Sequence, residues 1–301
     1  MCHGTILELR SRVMHSNIER KVFLWWDKER RDFPWRATRD PWEILVSEFM
    51  LQQTQASRVI EKYHVFLNRF PDPTSCANSS PGEVIELWSG LGYNRRAINL
   101  HQSAKVISTK YQGVVPNELQ SLLELPGIGD YTARAILAFS YEKDVAVVDV
   151  NVKRVFSRLK GKVMSMKEAQ VNADQNLPAG EGWRWNQAMI EVGATLCTAR
   201  ITHCCACPFE TTCIWTKDQT KPDPAISPKE MRQKPDSFEG SDRQGRGKLI
   251  SALRDKAVLK KDIPKIFGWI NDPERCSRVL QKLEKDGLIV IDKSGKVSLP
   301  S

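Results

Sequence analysis

A mainly α-helical body followed by a small α+β module is the fold class this sequence predicts, and three observations predict it. From Asn17 to Trp215 apolar residues recur at spacings of three and four, Gly and Pro mark the stops, and no long alternating strand appears. Residues 217–246 turn to Pro, Lys, Asp, Ser and Gly with little apolar periodicity, the composition of a mobile linker. Residues 247–301 then regain order as helices followed by a strand, a turn and a strand, the pattern of a winged-helix-like module.

The elements follow in order. Asp40-Pro41 opens a helix, with Asp as cap and Pro at the first helical position. Ser80-Pro81-Gly82-Glu83 has the capping-box arrangement ahead of Val84, Ile85, Leu87 and Trp88. Asn117 to Leu123 and Tyr131 to Ser140 are helical on either side of Leu125-Pro126-Gly127-Ile128-Gly129, and a further helix covers Trp185 to Leu196. In the tail, Lys248 to Arg254 and Ile263 to Trp269 read as short helices. Glu274 to Lys285 sets Val279, Leu280 and Leu283 on one face and stops at Gly287. Leu288 to Ile291 and Lys296 to Leu299 read as strands around Asp292-Lys293-Ser294-Gly295.

Composition limits the function. The 301 residues suffice for about two domains. No apolar run approaches the ~18 residues of a membrane span, and Met1 to Arg20 carries charge where a signal peptide would be apolar. The expectation is a soluble, cytoplasmic, monomeric protein with no membrane partner. With 45 basic against 36 acidic residues, the formal charge of +9 favours a polyanionic partner. Four of the eight cysteines, Cys197, Cys204, Cys207 and Cys213, fall within 17 residues, which points to a metal site more than to a disulfide framework.

Three features carry chemistry. The loop Cys197-x6-Cys204-x2-Cys207-x5-Cys213 can supply four thiolates to a [4Fe-4S] cluster or to tetrahedral zinc, and its three unequal gaps suit a cubane better. The glycine turn between two helices lets Gly127 and Gly129 take positive φ and aim bare amides outward, an anion site suited to a DNA phosphate, although an ordinary helical hairpin would look the same. The third is a pair of carboxylates. Glu48 interrupts an apolar helical stripe, where burial would raise its pKa and let it act as an acid. Asp149 lies at a helix start, where backbone amides favour an anion, and a plain N-cap explains it equally well. An acid and an anion together are what cleavage of a glycosidic bond through an oxocarbenium-like state requires.

Residues 31–216 resemble the helix-hairpin-helix DNA glycosylases that carry an iron-sulfur cluster, and among them the MutY-type adenine glycosylases. The matching stretches are Pro34-Trp35-Arg36, the run from Ser47 to Gln55, Gly90-Leu91-Gly92-Tyr93, Leu125-Pro126-Gly127-Ile128-Gly129, the run from Asp149 to Val155, Trp185-Asn186-Gln187-Ala188-Met189 and the cysteine loop. The resemblance implies one helical domain over 1–216. Its hairpin subdomain would cover about 41–147, and its cluster subdomain the N-terminal helix with 148–216, the substrate lying between them. It implies mismatched double-stranded DNA as partner, base flipping, and a [4Fe-4S] cofactor. By position Glu48 would protonate adenine at N7 and later help to activate water, Asp149 would stabilise the cationic sugar, and Tyr131 and Asn151 would assist. Arg36 and Gln187 would contact the extruded base, Gln53 and Thr54 would approach the opposite purine, and Tyr93 would wedge into the stack. Taken alone, Tyr93 and Arg36 are better read as core packing and surface charge.

Tyr131 stands where endonuclease III relatives place a lysine, and a phenol cannot form a Schiff base with the sugar, so a monofunctional glycosylase is expected. The sequence departs from the resemblance in two places: the tail is too short for a MutT-like domain, and Val150 replaces the glycine usual after the aspartate. Two other readings stand beside the adenine one: a thymine glycosylase acting on T:G, which would share the cluster and the tyrosine, and a non-catalytic DNA-binding or redox-sensing iron-sulfur module.

Overall fold

In the computed structural model, residues 17–218, 220, 222–226 and 237–301 are described. Cys2 and parts of the expected linker (219, 221 and 227–236) lie outside the described residues. The chain divides into two compact units, one formed by Met1–Arg36 with Ala133–Gln233, the other by Ala37–Thr132 with Lys234–Ser301.

The first unit contains α1 (17–29), most of α2 (Pro34–Ala37), α10 (Val150–Lys160), α11 (Met166–Gln175), α12 (Gly182–Thr195) and the short α13 (Ile214–Lys217). Its helices are built by their ends. The Asp149 side chain caps α10 by accepting from the Asn151 and Val152 amides, and Gly161 closes α10 in the left-handed region at φ 63°. Ser165 and Glu168 form a reciprocal capping box at the start of α11. The apolar faces meet in a core around Val22, Trp26, Val155, Phe156, Met189 and Val192. Gly193 on α12 is needed for that closeness, because a Cβ there would lie 2.9 Å from the Asn151 Cβ.

The second unit contains α3 (Pro41–Leu51), α4 (Ala56–Arg69), α5 (Pro73–Ala77), α6 (Pro81–Leu87), α7 (Arg95–Lys110), α8 (Leu119–Leu123) and the start of α9 (Asp130–Phe139). It also contains the C-terminal elements: α14 (Asp242–Asp255), β1 (Val258–Leu259), α15 (Ile263–Phe267), α16 (Pro273–Lys285), β2 (Val290–Ile291) and β3 (Lys296–Ser298). Leu45, Phe49, Phe66, Phe70, Trp88, Leu100 and Ile107 are fully buried. The three strands form one antiparallel sheet in the order β1-β3-β2, with Val258 opposite Val297 and Val290 opposite Ser298. Three bonds tie the C-terminal elements to the helices before them. Gly82 N–H donates to the Pro300 carbonyl (2.8 Å), Arg254 Nη2 to the Ile85 carbonyl (3.1 Å), and Arg95 pairs with Asp286 (2.8 Å).

Three details differ from the sequence expectation. Ser80 caps α6 through the Glu83 amide (3.1 Å), but the Glu83 carboxylate turns to Arg69 (2.6 Å), so the reciprocal half of the capping box is not made. Residues 217–246 are not uniformly linker: Asp223 is fixed to α10 by Arg158 (2.6 Å), and α14 begins at Asp242 under a Ser241 cap. The strand Val258–Leu259 was not expected, since two residues are too few to show alternation. Among the described residues no helix is long and apolar enough to cross a membrane.

Candidate active site and cysteine loop

The expected site residues divide between the units. Glu48, Gln53, Thr54, Tyr93, Gly127, Gly129 and Tyr131 belong to the second; Arg36, Asp149, Asn151, Gln187 and the four cysteines belong to the first.

In the second unit α3 is buried on nearly every side, and Glu48 is only 6% exposed. The turn after α3 holds Gln53 at φ 57°, and the turn before α7 holds Tyr93 at φ 48°. Left-handed backbone at two non-glycine residues is strain that neighbours must enforce. Arg96, buried beneath both turns, enforces it. Its Nη1 donates to the carbonyls of Phe49 (2.8 Å), Met50 (2.9 Å) and Gln52; its Nη2 donates to Thr54 Oγ1 (2.9 Å), the Leu91 carbonyl (3.2 Å) and the Gly92 carbonyl (3.0 Å). Burial lowers the Arg96 guanidinium to about 10, which leaves it cationic at neutral pH and suited to the carbonyl end of a helix. The sequence reading missed Arg96; the only signal was an arginine among the buried positions of α7.

The glycine turn corrects one expectation. Gly127 has φ 80°, and a Cβ there would lie 2.7 Å from Asn99, so both conformation and space require glycine. Gly129 does not have positive φ; it is exposed, and a Cβ on it would meet nothing within 4 Å. Its contribution is open space before the first turn of α9, where the half-buried Tyr131 also lies.

In the first unit Asp149 accepts from the Asn151 amide (2.8 Å) and the Val152 amide (2.7 Å) on Oδ1, and from Asn151 Nδ2 (2.6 Å) on Oδ2. Asn151 Oδ1 in turn accepts from Arg154 Nη2 (2.8 Å), and Arg154 donates onward to the carbonyls of Cys197 and Gly193 (each 2.7 Å). Val150 is the first helical residue and is 68% exposed, so replacing glycine there burdens no contact of the core. Arg36 Nε donates to Gln187 Oε1 (2.9 Å) and its Nη2 to the fully buried Glu191 (2.7 Å), which Arg31 also grips. Burial alone would raise the Glu191 carboxyl, but the hydrogen bonds and charges of Arg31 and Arg36 outweigh it and hold it below the usual carboxylate range. Sequence reading missed Glu191, Arg31 and Arg154. An acidic residue inside the apolar stripe of α12 was the available signal for Glu191.

Cys197, Cys204, Cys207 and Cys213 line one cavity together with Leu159, Val192, Phe209 and Trp215. Cys205 is exposed. Burial pushes the Cys207 thiol up to about 12, and burial also raises Cys197, against the pull of Arg158, whose Nη1 lies 3.2 Å from Cys197 Sγ. Among the described residues no group of three or more His, Cys, Asp or Glu side chains is gathered closely enough for a single metal ion.

Known proteins resemble this chain in sequence and fold. The adenine DNA glycosylase of Mycolicibacterium smegmatis is 39% identical over 93% of this chain and 94% of its own length; that of Mycobacterium tuberculosis is 37% identical over 93% and 92%. The human adenine DNA glycosylase is 30% identical over 90% of this chain and 51% of its own. A thermostable thymine-DNA glycosylase superposes with TM-score 0.63 at 30% identity, over 70% of this chain and 98% of that one. An endonuclease III–DNA complex, 21% identical, superposes at 0.61 over 70% and 98% and shares the fold. A family model described as the HhH-GPD superfamily base excision DNA repair protein matches residues 46–175, and with relatives of this similarity over nearly the whole chain, the protein belongs to the HhH-GPD superfamily of base excision DNA repair proteins.

Proposed function

We propose that this chain binds double-stranded DNA and hydrolyses the N-glycosidic bond of adenine mispaired with 8-oxoguanine or guanine, without cutting the strand. The observation that carries the reading is the contrast between its two carboxyl groups: Glu48 withdrawn from water on α3, Asp149 held as an acceptor by three hydrogen bonds. A carboxyl group withdrawn from water can hold a proton and hand it to adenine N7, which makes the base a better leaving group. As the C1′–N9 bond breaks, its electron pair leaves with the base, and Asp149 stabilises the cationic sugar. Asn151 and Arg154 keep Asp149 from turning away. Water then adds to C1′ and loses its proton to Glu48, which restores the starting state. With Gln187 Oε1 occupied by Arg36, the amide –NH2 of Gln187 is the end that faces a ring nitrogen of the extruded base. Tyr131 offers no amine, so no covalent sugar adduct forms through it.

Cys197, Cys204, Cys207 and Cys213 would hold a [4Fe-4S] cluster: all four line one cavity, and their three unequal sequence gaps suit a cubane better than zinc. The cluster, when bound, cross-links four points of the loop. The C-terminal order of helix, strand, two helices and two strands supports reading residues 247–301 as a winged-helix-like module.

Purified protein incubated with duplexes bearing A:8-oxoG, A:G or T:G and then heated in alkali tests the reading. Strand scission is expected at adenine in the first two. Release of thymine alone, or strong borohydride trapping of a DNA adduct, would overturn it.

A further inference from the structure

Trp215, on the short α13, lines the same cavity as the four cysteines. Its indole Nε1 is buried and has no hydrogen-bond partner among the described residues. Of the buried side-chain atoms left in that state among the described residues, it is the one whose residue borders the cysteine cavity. An indole nitrogen can only donate, and burying a donor without an acceptor costs free energy. The acceptors that four cysteines would bring into that cavity are sulfur atoms.

A second donor already reaches sulfur. Arg158, on α10, has a side chain only 3% exposed, and its Nη1 donates to the Thr198 carbonyl (2.8 Å) and to Cys197 Sγ (3.2 Å). Asp223 holds another edge of the guanidinium, accepting from Nε (3.1 Å) and Nη2 (2.6 Å). The carboxylate is fixed in turn by the Ala225 amide, which donates to Asp223 Oδ1 (2.9 Å). A planar guanidinium gripped along one edge has its remaining nitrogen fixed in direction. The same guanidinium lies 4.9 Å from the Trp215 ring centroid, so the two donors pack together.

We propose that Trp215 and Arg158 are positioning residues for the cluster. Trp215 Nε1 and Arg158 Nη1 each donate a hydrogen bond to cluster sulfur, Arg158 to that of Cys197, and Asp223 keeps Arg158 in register. Hydrogen bonds to the sulfurs draw electron density from them, lessen their donation to iron and make the cluster harder to oxidise. Asp223 comes from a stretch whose composition reads as linker, yet it fastens a donor beside a cysteine of the loop. The proposal rests on the iron-sulfur reading of the cysteine loop given above.

The test uses the full chain as purified, with its iron and acid-labile sulfide assayed first. Trp215→Phe keeps a ring beside Arg158 and deletes the N–H. Its Fe–S stretching bands in resonance Raman should lie at higher wavenumber than those of the wild type, and transfer to D2O should move them less. Its absorbance near ~400 nm should bleach about tenfold faster when ferricyanide takes an electron from the cluster. Asp223→Asn, outside the cavity lining, should shift the bands in the same direction, and Asp223→Glu should restore part of the shift. This pair decides the matter if Trp215→Phe is isolated without iron. Wild-type bands in iron-loaded Trp215→Phe would overturn the proposal at any bleaching rate, because packing alone does not alter Fe–S stretching. Wild-type protein that carries zinc and no iron would overturn the cluster reading itself, and the proposal with it.

Discussion

Asp149 is an N-cap and a candidate catalytic anion at once, and the two roles support each other: the amides that need a capping acceptor fix the carboxylate for the sugar. Glu191 does comparable work beneath Arg36 and Gln187. Its lowered folded pKa means that its stabilising contribution is present above the ordinary carboxyl value of 4.5 and is lost as pH falls through the lower folded value. Glu191→Gln removes the charge that two guanidinium groups share, and should cost about 3 kcal/mol at pH 7, measured by denaturant unfolding. The variant's stability should also depend less on pH below 4.5 than the wild type's. Arg36 and Gln187 were legible in the sequence because they stand in recognisable motifs. Glu191 and Arg96 were not, because a buried charge is revealed only by the partners that the fold brings from 42 to 160 residues away.

At the scale of elements, α10 connects the two candidate functional features of the first unit. Its N-terminus presents Asp149, and one turn further Arg154 reaches the Cys197 carbonyl, with Asn151 joining them. Arg154→Gln breaks that chain while leaving the Asp149 cap in place. The expected result is a ten- to hundredfold slower excision with a smaller loss of DNA affinity, read from single-turnover rates and binding titrations. The longer helices were legible because caps and apolar spacing are local properties: Asp40, Ser165 and Asp149 each mark a start. The strands of two and three residues were harder to read, because pairing in a sheet with order β1-β3-β2 depends on residues nearly forty apart. The positive φ expected at Gly129 failed for a similar reason, since a glycine can serve by leaving room as well as by bending.

For the whole molecule, the excess of nine positive charges is the property that a DNA partner explains most simply. If phosphate contacts supply much of the affinity, log K for an undamaged duplex should fall linearly with log salt, losing about a hundredfold or more between ~50 and ~200 mM, as fluorescence anisotropy would read. A salt-insensitive affinity would place the basic residues elsewhere than on DNA. The central claim, however, concerns one bond and two carboxyl groups. It is tested most directly by the single-turnover release of free adenine from an A:8-oxoG duplex by the wild type, Glu48→Gln and Asp149→Asn. Asparagine can still cap α10, so a lost rate would report chemistry and not folding. The account predicts adenine release by the wild type and at least about a hundredfold slower release by each variant. Wild-type rates in Asp149→Asn would contradict it.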